Sequence, residues 1–96
     1  MKLSQISIFG RAATAGSSVD HGVYDIVIQH KDEPLAFVAF VDGHIRPRRI
    51  NLDAQIPWAL RMEAMDFIHA NESALWTVIS NKAPSLGLSM DTRNKE

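Results

Sequence analysis

The longest unbroken apolar run in the chain is Leu-Ala-Phe-Val-Ala-Phe-Val at residues 35–41, preceded by Pro34 and closed by Asp42-Gly43. A run with no polar position suits a strand covered on both faces or a piece of buried helix. Its shortness and its flanking Pro and Asp-Gly favour the strand. Asp-Gly is a strong hairpin signal, because both central residues of a type I′ turn need φ > 0. Residues 23–30 alternate, with Tyr24, Ile26 and Ile28 on one face and Asp25, Val27 and Gln29 on the other. They predict the preceding strand, and residues 31–34 the polar turn between the two. Residues 2–9 alternate through Leu3, Ile6 and Ile8 and predict a first strand. Residues 10–22, rich in glycine and small side chains, predict a long loop. Residues 44–52 should run back beside 35–41, but Ile45 and Ile50 are an odd number apart and cannot share a strand face. Pro47 also lacks the N–H that a central ladder needs, so this segment predicts an edge or bulged strand.

Asp53 suits a helix N-cap and Pro57 a first turn. The helix is expected over 54–70, with Asn71 as a left-handed terminal residue. Residues 74–80 (Ala-Leu-Trp-Thr-Val-Ile-Ser) predict a last strand. The segment 81–96 is expected as a flexible or loosely docked tail, with Leu86, Leu88 and Met90 as its docking residues. The implied fold class is α+β. It is a single domain over 1–80 with an antiparallel sheet of about four to five strands, in the order β–loop–β–β–β–α–β, and one amphipathic helix packed across it. The second face of 35–41 then needs cover from the last strand, the tail or a partner.

Composition narrows the function more than the fold. The 96 residues are 46% hydrophobic and 22% charged, as in an ordinary globular domain. Ten basic and eleven acidic residues give a formal charge of −1, unlike a generic nucleic-acid coat. With no cysteine, disulfides, thiolate metal sites and a cysteine nucleophile are excluded. The N-terminal residues lack a continuous apolar signal region, and no run approaches the roughly 20 residues that span a bilayer. A cytoplasmic, soluble chain without membrane contact is expected.

Two surfaces stand out. At 100° per helical residue, Ile56, Leu60, Ala64, Phe67 and Ile68 share one sector, a normal core stripe. Trp58, Met62, Met65 and His69 gather on the opposite side, bordered by Arg61 and Glu72. One sheet can cover only one helix face, so the second apolar group is surplus, and exposed apolar patches mark interaction sites. Tryptophan is enriched at binding hot spots and methionine adapts to varied partners. The second surface is His44-Ile45-Arg46-Pro47-Arg48-Arg49, with three arginines within four positions. Guanidinium forks match carboxylates and phosphates alike. The plainer role of such charges is to keep an exposed edge from adding foreign strands.

A sheet followed by a helix, with arginines on the third strand, is similar in outline to the three-stranded arm-binding domains of phage integrases. The similarity spans residues 23–70 and implies DNA contact by the sheet. In size and plainness the chain also looks like the small host-directed inhibitors of bacteriophages, including anti-CRISPR proteins, which implies a blocking role.

Catalytic signatures are sparse. Asp66 and His69, at i and i+3, share a helix side and could ligate a metal, but a zinc or di-metal site needs more convergent ligands. His21, His30 and His44 are scattered. Ser17-Ser18 does not lie in a nucleophile elbow, and there is no Walker, dinucleotide or H-E-x-x-H motif. The sequence therefore predicts a non-enzymatic interaction protein without cofactor or metal. It is expected to bind and modulate or block a protein or ribonucleoprotein that handles nucleic acid. Its binding residues would be Trp58, Met62, Met65 and His69 on the helix and Arg46, Arg48 and Arg49 on the edge. A homodimer through the helix face, direct DNA or RNA binding by the arginine edge, and a small metal-dependent enzyme are the alternatives.

Overall fold

The alternation of residues 23–30 builds the centre of the molecule. The computed structural model describes residues 1–12, 23–41 and 43–91. Strand β1 (Ile6–Ala12) and strand β3 (Glu33–Val41) flank β2 (Val23–His30), both antiparallel to it. Strand β4 (His44–Ile45) leaves this sheet, and β5 (Asn51–Leu52) returns to pair with Ala36 and Phe37 on the far side of β3. The sheet order is β1-β2-β3-β5. A single helix, α1 (Trp58–Lys82), packs across it, and β6 (Ser89–Met90) then runs parallel to β4 as a separate two-stranded sheet. This is the α+β arrangement of one helix on an antiparallel sheet that the pattern predicts. No described helix is long and apolar enough to cross a membrane.

The core lies between sheet and helix. Ile8, Ile26, Ile28, Ala36, Val38 and Phe40 meet Ala64, Phe67, Ile68, Leu75 and Ile79. Strand parity would send Leu35 away from this layer, yet it is buried there beside Ala36. The cause is a β-bulge: Gln29 pairs with Pro34 and Ile28 with Ala36, leaving Leu35 as the extra residue. Beyond the bulge the expected burial of 35–41 on both faces does not hold. Val38 and Phe40 are buried, but Phe37 is half-buried and Ala39 exposed. Among the described residues the second face is open. Across it Phe9, Val27 and Phe37 pair in one row, and Val27 at its centre is 3% exposed.

Several local expectations change for identifiable reasons. Residues 3–5 form a 3₁₀ turn, so the first strand starts only at Ile6. The tight turn between β2 and β3 is Lys31-Asp32, both with positive φ (51° and 68°), as a type I′ turn demands. Asp42, half of the predicted turn, lies outside the described residues, and so do residues 13–22 of the predicted loop; Gly43 has φ 72°. Asp53 does not cap the helix. Its Oδ1 accepts from Gln55 N–H at 2.9 Å, and Pro57 occupies the N-cap instead.

The predicted helix stop at Asn71 is a kink, with φ −119° and ψ 19°, after which α1 continues. Residues 74–80 are therefore helix and not strand. Trp76, Thr77, Val78 and Ile79 favour strands, but Leu75, Ile79 and Ala83 recur every four residues and are fully buried. The core contact along that stripe overrides propensity. The chain after the helix packs closely as far as Asp91: Ala83, Leu88 and Asp91 are buried, and Leu86 and Met90 pack against the core.

Candidate functional site

The first three turns of α1 carry the surplus apolar group. Residues 58, 62, 65 and 69 fall within a stripe about 60° wide at 3.6 residues per turn, outside the buried stripe of the helix and with Met65 and His69 bordering β5. Trp58 is 82% exposed, Met62 64% and Met65 48%, and His69 is exposed beside them. The indole is steadied at its edge. Arg61 lies with its guanidinium carbon 5.9 Å from the ring centroid and donates from Nη2 to the Ala54 carbonyl at 3.2 Å. Arg61 so ties the exposed ring to the loop before the helix, which buried Ile56 anchors.

The arginine segment is exposed for a different reason. Ile45 and Ile50 are both buried, at 0% and 6% exposure. A strand cannot point two residues of opposite parity the same way, so the chain leaves the ladder between them. Arg48 N–H donates to the Arg46 carbonyl at 2.8 Å across Pro47, and the intervening residues turn outward. Arg46, Arg48 and Arg49 are exposed. Arg46 is held: its Nε lies 3.4 Å from Oδ2 of Asp91, a carboxylate whose side chain is only 4% exposed. Nothing in the sequence marks Asp91 as that partner, because it sits in the segment read as a loose tail.

The two surfaces adjoin. A groove of about 520 Å³ runs between β3 and the arginine segment, lined by Ala39, Phe40, His44 and the three arginines among others. A second, of about 350 Å³, runs between β5 and α1, lined by Arg49 and Asn51 on one side and Met65, Asp66, His69 and Glu72 on the other. Arg49 borders both. The sequence alone could not show this adjacency, which depends on β5 pairing with β3 at residues 36–37.

Among the described residues no three histidine, aspartate or glutamate side chains converge as a metal site requires. His30 Nε2 shares a hydrogen bond of 3.0 Å with Gln5 Oε1, and His44 Nδ1 one of 2.9 Å with Ser89 Oγ. His21, Ser17 and Ser18 lie outside the described residues. No family model, curated protein or solved structure matches the chain.

Proposed function

We propose that the chain is a non-enzymatic binding module that engages a macromolecular partner and modulates or blocks it. The partner is a protein or ribonucleoprotein that handles nucleic acid, met in the cytoplasm. One observation carries this reading: Trp58, Met62 and Met65 stand in solvent while the core is filled by other side chains. Covering the indole alone would remove on the order of 150 Å² of apolar surface from water, about 4 kcal/mol at 25 cal/mol per Å² before ordering costs. The adjoining arginine groove adds charge complementarity for an acidic or phosphate-bearing surface.

The test compares proteins captured by the wild-type chain with those captured by a Trp58→Ala, Met62→Ala double variant, in paired samples with and without nuclease. Loss of specific capture in the variant, unaffected by nuclease, is the expected result. Identical capture by both chains would defeat the reading. Concentration-dependent self-association abolished by the same substitutions would make the partner a second copy of the chain.

A second reading has its own observation. His44, Arg46, Arg48 and Arg49 line one groove, which suits direct contact with DNA or RNA. Nucleic-acid affinity would fall steeply with salt, with a slope set by the number of phosphates neutralised. A contact centred on Trp58 would change little.

A further inference from the structure

The edge of β3 changes character half-way along its length. Asp53 N–H donates to the Leu35 carbonyl at 3.0 Å, and Phe37 pairs with Asn51. Main-chain groups in an antiparallel ladder bond to alternate sides, so Leu35, Phe37 and Ala39 all turn theirs towards β5. The first two are met there. The third is not: residue 49 would be its counterpart, but the strand paired with β3 begins only at Asn51. Among the described residues none pairs with Ala39 on that side. Ala39 is exposed and lines the groove of about 520 Å³ together with Arg46, Arg48 and Arg49.

We propose that this notch takes an extended acidic peptide segment of the partner. The segment adds to β3 by main-chain hydrogen bonds at Ala39, and its carboxylates lie along the cationic rim of the groove, with Arg49 as their main contact. The proposal rests on the partner-binding reading and specifies the chemistry of one contact. Edge addition of this kind takes affinity from the main chain and specificity from the side chains. About four residues of extended chain, at roughly 3.3 Å each, bridge the notch. Its volume lies within the roughly 300–1,000 Å³ of ligand clefts.

One feature favours a peptide over a nucleic-acid strand. Ala39 offers a donor and an acceptor together, which a peptide backbone matches with one of each. A phosphate offers acceptors only and would set an anion against the Ala39 carbonyl. Arginines along an edge discourage an apolar strand from adding there. The same charges favour a strand that brings carboxylates, so repulsion of one class is selection of another.

The test is an NMR titration of the ¹⁵N-labelled full chain with a capped heptapeptide of alternating glutamate and valine. The proposal expects the Ala39 amide to shift and its solvent exchange to slow by about tenfold or more, as a new ladder bond requires. Replacing glutamate by glutamine in the peptide should weaken binding on the order of tenfold, and R48E with R49E should do the same. If the double variant fails to fold, the glutamine peptide reads the charge contribution on the wild-type chain. An unmoved Ala39 amide, equal affinity for the glutamine peptide, or preferential binding of a seven-nucleotide oligothymidine would each overturn the proposal. Trp58-dependent partner capture without peptide uptake would overturn the notch and leave the partner-binding reading standing. Peptide uptake with capture indifferent to Trp58 would support the notch and remove the helix face.

Discussion

The two halves of α1 treat apolar side chains differently. Before the kink at Asn71 the helix is apolar on both sides, with Ala64, Phe67 and Ile68 against the sheet and Trp58, Met62 and Met65 in solvent. After it, Leu75 and Ile79 are fully buried, and Ser73, Thr77, Ser80 and Asn81 occupy exposed positions. Val78, 38% exposed, is the main apolar exception in that half. The second half therefore resembles an ordinary surface helix, and the first does not. Along this helix the exposed apolar area is concentrated in one half, as a local site would require.

The contrast can be broken most forcefully from the buried half. Ile79→Ala removes a fully buried side chain and should cost about 2–5 kcal/mol in chemical denaturation. A loss below about 0.5 kcal/mol, the level of surface substitutions, would mean that the second half is not core. The sheet beneath is nearly as unforgiving. A Cβ added at Gly10 would sit 2.5 Å from the Tyr24 ring, which in turn lies 5.3 Å from Phe40 by centroid. Gly10→Ala should cost about 1–3 kcal/mol through overpacking, read as a lower denaturation midpoint. Arg46→Ala takes the guanidinium away from the buried Asp91 carboxylate. An expected cost of about 1–2 kcal/mol reflects that desolvated partner, reduced because Arg46 is itself half in water. Arg49→Ala serves as the control and should move stability by less than about 0.5 kcal/mol. Smallest of all, Trp58→Ala should change stability by no more than about 0.5 kcal/mol while abolishing partner capture. A large fall in melting temperature with capture intact would make the ring structural and erase the contrast.

The sequence reveals those parts whose pattern is locally decided. Residues 23–30 and 35–41 declare their strands by alternation and by an apolar run, and the odd spacing of Ile45 and Ile50 correctly signals trouble in the third return. The exposed stripe at Trp58 is also readable, because one sheet has only one helix-facing side. Residues 74–80 mislead because β-branched and aromatic side chains dominate their propensity, while the deciding Leu75–Ile79–Ala83 spacing straddles the boundary with the presumed tail. The Leu35 bulge, the burial of Asp91 and the meeting of Arg49 with Met65 across one groove all depend on contacts distant in sequence. No local pattern encodes them.

The pair of buried isoleucines that brackets the arginine turn has an evolutionary consequence. Both anchors are fixed by the hydrophobic interior, whereas Arg48 and Arg49 between them are exposed. Over evolutionary time that exposed span should tolerate substitution more readily than either buried anchor.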